Sequence, residues 1–155
     1  MKKLGEGTHG SVYVLDSERV VKRANLLDCR DYGTYLSDGL LTELAAADRV
    51  SDAHCRHVVR FLEWKCIKEH NIVKSELTME KLVPLDTLDS EQLVSSAPIY
   101  IRHIFEALSD MHDANTVHCD LKLNNIMLRW MDDEAVLIDL GLSKTDPDVK
   151  PSEKA

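Results

Sequence analysis

The sequence has no hydrophobic run that approaches the roughly 18 residues needed to span a membrane. It also lacks a recognisable secretory signal, because Gly5 follows Met1-Lys2-Lys3 almost at once. Internal repeats and low-complexity tracts are absent as well. We therefore expect an intracellular protein, cytoplasmic or nuclear, that has no membrane partner.

Paired cysteine spacing is missing too. The four cysteines stand far apart, at Cys29, Cys55, Cys66 and Cys119. This spacing favours reduced thiols over disulfides. His54, Cys55, His57 and Cys66 could suggest a zinc cluster, but their spacing fits no standard zinc site.

A positive charge excess is also lacking, since the formal net charge is −8. This charge argues against nonspecific nucleic-acid binding and would suit a basic substrate peptide. The content of 44% hydrophobic and 30% charged residues is typical of a soluble globular protein. At 155 residues the chain has the length of one ordinary domain.

A cluster of glycines near the start of the chain is the first motif that is present. Gly5, Gly7 and Gly10 are followed by Val12, in the pattern of a loop that folds tightly against phosphate. A dinucleotide-binding turn would need a helix after the glycines. Instead, residues 11–15 and 19–23 read as two strands around a short turn, which favours a hairpin that covers a nucleotide.

A lysine and a glutamate follow in two predicted elements. Val20 and Lys22 lie in the second strand of that hairpin. Residues 35–50 are predicted to form an amphipathic helix, in which Glu43 stands beside the apolar stripe. The leucines of this stripe are Leu36, Leu40, Leu41 and Leu44. Taken alone, Lys22 and Glu43 would each be read as solvated surface residues.

The remaining elements are predicted from periodicity and capping signals. Residues 57–64 and 75–82 read as strands, and residues 125–128 and 135–138 as a hairpin. A helix is predicted to start at residues 96–98, where a hydroxyl can cap and Pro98 is tolerated in the first turn. It should end near residues 112–115. Its broad apolar face consists of Ile101, Ile104, Phe105, Leu108 and Met111.

The segment His118-Cys119-Asp120-Leu121-Lys122-Leu123-Asn124-Asn125, followed by Asp139-Leu140-Gly141, carries the chemistry. With the glycine loop, Lys22 and Glu43, it resembles the phosphoryl-transfer centre of a eukaryotic-type protein kinase. The Asp-Leu-Lys-x-x-Asn form is the serine/threonine type. The resemblance implies an α+β, two-lobed fold, with a small β-rich lobe that carries one helix and a partial helical lobe.

The same resemblance implies a role for each matching residue, with ATP and Mg²⁺ as cofactors. Asp120 would orient and deprotonate the substrate hydroxyl, and Lys122 would steady the transferred phosphoryl group. Lys22, held by Glu43, would contact the nucleotide phosphates, and Asn125 and Asp139 would hold magnesium. The predicted nucleotide-binding set is Gly5, Gly7, Gly10, Val12, Val20, Lys22, Met79, Glu80, Leu82 and Met127. Within this set, Met79 would stand beside the adenine, whose edge residues 80–82 would bind through their backbone, and Met127 would form the floor. His118 would support the loop structurally, packing against Leu140.

The sequence departs from the kinase pattern in two places. Cys119 stands where many kinases carry an arginine that pairs with an activation-loop phosphate, so control through such a phosphate is not expected. Only fourteen residues follow Gly141, too few for an activation segment and the later helices. We therefore expect a truncated kinase domain, perhaps encoded by a compact genome such as that of a virus. Residues 138–143 also resemble, more weakly, the metal-binding segment of small atypical kinases that lack much of the large lobe.

The expected organisation is a single domain over residues 1–155. Its N-lobe and hinge would cover about 1–82, its partial C-lobe about 83–145, and a flexible tail 146–155. Three functions stay open at this point: a minimal active serine/threonine kinase, a weak or inactive nucleotide-binding decoy that regulates a kinase or its substrate, and a fragment of a longer kinase. The protein partner would be a substrate, a regulator, or a second copy bound through the exposed face of the long helix.

Overall fold

The computed structural model describes residues 1–7, 10–28, 35–36, 38–70 and 72–146, apart from the side chains of residues 7, 25–28, 35–36 and 38–41. The strands are β1 (Lys3–Gly7), β2 (Gly10–Val14), β3 (Arg19–Asp28), β4 (Tyr35–Leu36), β5 (Phe61–Glu69), β6 (Ile72–Glu80), β7 (Val83–Pro84), β8 (Thr116–Val117), β9 (Ile126–Arg129), β10 (Glu134–Leu137) and β11 (Lys144–Thr145). The helices are α1 (Asp38–Asp52) and α2 (Ser90–Asp113).

The first half of the chain forms an antiparallel sheet in the order β1-β2-β3-β6-β5, and β4 pairs with the far end of β3. The predicted hairpin is present as β2 and β3, with Val12 opposite Lys22. Lys22 in turn lies opposite Leu77 of β6, so it occupies the middle of the sheet. This placement fixes the lysine on a rigid strand rather than on a loop.

Helix α1 packs a charged residue into its buried stripe. Glu43, Ala46, Ala47 and Val50 are all buried, at the spacing of one helix face. The helix begins at Asp38 rather than at residue 35, because Tyr35 and Leu36 pair with β3 instead. The side chains of Leu40 and Leu41 lie outside the described residues.

Helix α2 starts six residues earlier than the sequence indicated. Asp89 caps it in a reciprocal capping box, in which Gln92 N donates to Asp89 Oδ1 (2.8 Å) and Asp89 N donates to Gln92 Oε1 (3.0 Å). The predicted start at Ser96 was therefore wrong, and Pro98 lies inside the helix on its exposed side. Proline at this position lacks the N–H for one backbone hydrogen bond of the helix. The capped turns before it and the packed turns after it offset the cost of that loss.

The apolar residues of α2 divide between core and surface. Tyr100, Ile104, Ala107 and Met111 are buried, whereas Ile101 is 56% exposed and Phe105 is 68% exposed. The predicted single broad face is thus two faces, of which one packs inward. The helix ends at Asp113, as predicted, and neither α1 nor α2 is long and apolar enough among the described residues to cross a bilayer.

The second half of the chain places a three-stranded sheet, β10-β9-β7, beneath the first. The predicted hairpin is present as β9 and β10, with Met127 opposite Val136. The strand predicted over residues 57–64 begins only at Phe61, because residues 57–59 pair with the hairpin instead. Val59 N donates to Leu137 O (3.0 Å) and Leu137 N donates to His57 O (2.8 Å).

One hydrophobic core continues from the larger sheet through α2 to the hairpin, and includes Val20, Leu77, Ile104, Leu128 and Leu137. The structure therefore has the predicted α+β character, with a β-rich part that carries one helix and a second part built around α2. The predicted tail falls on residues 146–155, of which 147–155 lie outside the described residues.

Candidate functional site

A cavity of about 390 Å³ lies between the larger sheet and the β9–β10 hairpin. This volume is in the range of small-ligand sites. The predicted site residues that line it are Gly5, Gly10, Val12, Val20, Lys22, Glu43, Met79, Glu80, Leu82, Asn125, Met127 and Asp139. Residues more than 130 positions apart in the sequence thus face one space.

The cation of the cavity is Lys22. Its Nζ atom lies 2.7 Å from Glu43 Oε2, and the two side chains are 9% and 2% exposed. Helix α1 presents Glu43 from its buried face, so its carboxylate pairs with Lys22 inside the protein. A buried ammonium beside a cavity is well placed to attract an anionic group such as phosphate.

Residues of β1 and β2 form one wall of the cavity. Gly10 has φ +141°, and a Cβ built on it would lie 2.4 Å from Arg23 O, so a side chain cannot fit there without movement of the backbone. A Cβ on Gly5 would meet nothing within 4 Å. Gly7 pairs with Gly10 between β1 and β2, and its surroundings lie outside the described part of the chain. Residues 8 and 9 lie outside the described residues.

Apolar side chains form the inner part of the cavity. Val12, Val20, Met79, Leu82 and Met127 come from both sheets and from the connection between them. Such an apolar lining suits an aromatic base. Glu80 and Leu82 line the cavity and Lys81 does not, as expected for extended backbone in which alternate residues face the same side.

Three apolar residues of the cavity lining, Leu4, Val59 and Ile138, were not predicted from the sequence. Val59 reaches it because residues 57–59 pair with β10, a contact between distant segments that leaves no local sequence signal. Ile138 directly precedes Asp139, and this position was the only feature of the sequence that could have placed it at the cavity. Glu6 and Asn124 complete the lining.

The loop after β8 carries the candidate acid–base group. Asn125 Nδ2 donates to Asp120 O (2.8 Å) and to Asp120 Oδ2 (3.0 Å). Lys122 Nζ lies 3.4 Å from Asp120 Oδ2, and its side chain is 55% exposed. Asp120 and Lys122 therefore stand together beside Asn125, although neither belongs to the cavity lining itself.

His118 joins this loop to the segment that carries Asp139. Asp120 N donates to His118 Nδ1 (3.1 Å), and the other ring nitrogen, Nε2, lies 2.9 Å from Ile138 O. Since a backbone N–H donates to Nδ1, that nitrogen is the acceptor, and Nε2 carries the proton that it donates to Ile138 O. The sequence predicted a structural role for His118 through packing on Leu140. The structure shows hydrogen bonds from its ring to the backbone of Asp120 and of Ile138.

Two residues of the site adopt left-handed backbone, Cys119 at φ 65° and Asp139 at φ 60°. Non-glycine residues in this region are uncommon and often occur at functional sites. The carboxylate of Asp139 stabilises its own turn, since Gly141 N donates to Asp139 Oδ1 (3.1 Å). The turn directs Asp139 into the cavity.

Asn125 and Asp139 form a donor set that fits magnesium. Both line the cavity that also contains Lys22, and they supply one amide oxygen and one carboxylate. Among the described residues no group of three or more His, Cys, Asp and Glu side chains could hold a metal by itself. This sparse set matches Mg²⁺, which proteins commonly bind through one or two carboxylates together with substrate phosphates.

The family described as "Protein kinase domain" matches residues 1–152 of the chain. A probable serine/threonine-protein kinase, yakA, of Dictyostelium discoideum is 26% identical over 148 residues, which cover 91% of this chain and 10% of the relative. Calcium/calmodulin-dependent protein kinase type 1 of Caenorhabditis elegans is 27% identical over 165 residues, which cover 84% of this chain and 47% of the relative.

A third relative, the hormonally up-regulated neu tumor-associated kinase of Mus musculus, is 28% identical over 151 residues, which cover 92% of this chain and 20% of the relative. The chain thus spans less than half the length of each of these three curated relatives.

Proposed function

The chain belongs to the protein kinase domain family, and we propose that it transfers the γ-phosphoryl group of ATP to a serine or threonine hydroxyl of a protein. One observation carries the proposal: Lys22, Asn125 and Asp139 line one cavity, and Asp120 is hydrogen-bonded to Asn125 at its side. Phosphoryl transfer needs these charges around a triphosphate and little else.

The two ends of ATP are proposed to bind to different parts of the cavity. The apolar slot between Val20 and Met127 would take the adenine, and the backbone of residues 80–82 would bind its polar edge. Lys22, fixed by Glu43, would bind the phosphates. Bound Mg²⁺, held by Asn125 and Asp139, would supply neutralisation of the phosphate charge.

The loop residues would act on the second substrate. The Asp120 carboxylate would orient the protein hydroxyl and accept its proton as the hydroxyl oxygen bonds to the γ-phosphorus. The bond from that phosphorus to the β,γ-bridging oxygen breaks, and ADP leaves. Lys122, 3.4 Å from that carboxylate, would stabilise the charge on the transferred group. His118 would fix Asp120 relative to Asp139, because its ring accepts from Asp120 N and donates to the carbonyl oxygen of Ile138, the residue before Asp139.

Serine and threonine are proposed as acceptors on two grounds. Lys122 stands two positions after Asp120, in the serine/threonine form of the motif. One of the similar proteins is named a probable serine/threonine-protein kinase. We extend the proposal to a reducing, intracellular compartment, since Cys66 and Cys119 carry free thiols in the described part of the chain.

The proposal is tested by transfer of radiolabelled phosphate from ATP to a generic basic protein in the presence of Mg²⁺. Wild-type protein should label the substrate, and Asp120→Asn and Asp139→Asn should not do so measurably above background. Asp86→Asn, which changes an exposed aspartate outside the site, is the matched control and should retain activity. Equal labelling by wild type and Asp139→Asn would reject the assignment.

A binding function is the second candidate, favoured by apolar side chains that are exposed on α2 and the catalytic loop. Phe105 is 68% exposed, Ile101 56%, Leu121 53% and Leu123 74%. Such side chains would suit a regulatory partner, a substrate or a second copy of the chain. If the chain binds Mg²⁺-ATP without transferring phosphate, and sedimentation shows a dimer that Phe105→Ser abolishes, this function replaces the first. Chain length in the native source separates both from the fragment hypothesis.

A further inference from the structure

Arg129, the last residue of β9, is a buried arginine outside the cavity, and no sequence pattern assigned a role to it. Its side chain is only 8% exposed. The guanidinium donates to Glu80 twice, from Nε to Oε2 (2.9 Å) and from Nη2 to Oε1 (2.6 Å). Nη1 donates to Glu134 Oε2 (2.9 Å) and to Arg56 O (3.0 Å). One side chain thus joins three separate segments of the chain.

The hydrogen-bond network of Arg129, Glu80, Glu134 and Arg56 reaches the cavity at Glu80. The side chain of Glu80 is 14% exposed, and its carboxylate also accepts from Arg60 N (3.0 Å). The backbone N–H of Glu80 donates to Arg60 O (3.0 Å), and that of Lys81 donates to Glu18 O (2.8 Å). The connection between β6 and β7 is therefore held by hydrogen bonds to Arg60 and Glu18, two residues that do not line the cavity.

Glu134 is the other end, at the start of β10. Burial raises the pKa of its carboxyl, but hydrogen bonds from Arg56 and Arg129 outweigh this effect, so the pKa lies below its ordinary value. Hydrogen bonding to Glu80 raises the pKa of the Arg129 guanidinium. Both pKa shifts favour the charged forms of Glu134 and Arg129 at neutral pH. The network anchors the hairpin whose two strands lie between Asn125 and Asp139 in the sequence.

We propose that Arg129 is the positioning residue of the adenine edge: it holds Glu80 so that the backbone of Glu80 and Leu82, which line the cavity, faces the nucleotide, an inference that rests on the proposed function. Arginine is required because only its planar fork can bind one carboxylate with two parallel hydrogen bonds and still reach a second carboxylate and a carbonyl. Buried ion pairs are often no more stabilising than apolar residues of the same size. We therefore expect the network to matter for nucleotide binding through the geometry that it imposes on Glu80, and not through its contribution to the stability of the fold.

The test compares ATP binding, turnover and folding in the same samples. Arg129→Lys keeps the charge but cannot reproduce the fork. Glu80→Gln keeps the shape of the other partner and weakens the same bonds. The matched control is Arg102→Lys, on α2, where the arginine is 76% exposed and lies 3.7 Å from Glu106. Calorimetry gives the Kd for Mg²⁺-ATP, circular dichroism gives the folded fraction, and phosphate transfer gives KM and kcat.

We expect Arg129→Lys and Glu80→Gln to raise the Kd and KM for ATP by about ten-fold, as for loss of one charged hydrogen bond. In both variants kcat should stay within a factor of about three, because the acid–base group and the metal ligands are untouched. The control should match wild type. If the Arg129 network only stabilised the fold, the Kd for ATP would be unchanged in any variant that is fully folded.

Three results would overturn the inference. The first is an unchanged Kd in both variants when they are folded, and the second is a fall in kcat as large as the rise in Kd. The third is unfolding of both variants, which would show that the network stabilises the fold rather than positions the binding site. Absence of ATP binding by wild-type protein would instead reject the proposed function. The two failures are therefore distinguishable.

Discussion

Removal of the charge on Glu43 is the most informative single perturbation of the site. Glu43→Gln keeps the shape of the side chain but leaves Lys22, which is 9% exposed, without a carboxylate at 2.7 Å. Removing one partner of a buried ion pair costs about 3–5 kcal/mol. For a domain of this size, each kcal/mol shifts Tm by about 2–4 °C, so we expect a fall of roughly 6–20 °C.

The same change should impair the reaction. A lysine that is no longer held across the sheet would bind the phosphates in a shifted position, and displacement of a positioned group by about 1 Å can cost roughly 10²-fold in rate. Thermal unfolding followed by circular dichroism measures the first effect, and phosphate transfer at saturating ATP measures the second.

The matched control is Glu63→Gln, on β5. Glu63 lies 3.2 Å from Lys65, but the two side chains are 51% and 57% exposed. Exposed pairs contribute little, so Tm should change by no more than about 2 °C and transfer should be unaffected. A Tm for Glu43→Gln equal to that of this control would show that the buried pair does not organise the site as argued here.

The remaining predictions concern the loop, the glycine turn and the buried network. Asp120→Asn should lower kcat by about 10²–10⁴-fold while the Kd for ATP stays near that of wild type, as measured by calorimetry; a wild-type kcat would contradict its role. Gly10→Ala should destabilise the fold by about 1–3 kcal/mol in denaturant titration, because its Cβ would meet Arg23 O; Gly5→Ala should not, and equal stability of the two variants would contradict the reasoning. Glu134 has a lowered pKa when folded, so its carboxylate stabilises the protein at neutral pH and this contribution is lost as the pH falls below about 4.5. Glu134→Gln should therefore show a weaker dependence of unfolding free energy on pH in that acidic range, and a parallel pH profile would count against the network.

Local patterns were sufficient to predict most of the part of the fold that surrounds the cavity. The β2–β3 hairpin and the β9–β10 hairpin follow from alternating apolar residues around short polar turns, and both are present. Glu43 was placed beside an apolar helical stripe, and the structure puts it on the buried face of α1, in contact with Lys22. These elements are predictable because each depends on residues close together in the sequence.

The errors arose where two local signals competed. Pro98 was taken as a first-turn residue, whereas the capping box of Asp89 and Gln92 starts α2 earlier. Asp-x-x-Gln is itself a start signal and would have given the right boundary. Proline in the exposed middle of a long helix is costly but tolerated when tertiary packing holds both sides.

Contacts between distant segments had no sequence signal at all. Val59 enters the cavity only because its segment pairs with Leu137 of β10. Likewise, the fork of Arg129 joins Glu80 to Glu134 across 49 and 5 positions of the sequence. Such pairings depend on the assembled fold, so periodicity and motif spacing cannot reveal them.

The most direct test of the central claim, that one cavity holds the triphosphate and its metal, is calorimetric titration of ATP with and without Mg²⁺. Wild-type protein should bind ATP more tightly with Mg²⁺ than without it. Asp139→Asn, which removes the carboxylate that faces the cavity, should lose that difference and bind alike in both conditions. Absence of ATP binding by wild-type protein, or the same magnesium effect in both proteins, would contradict the account.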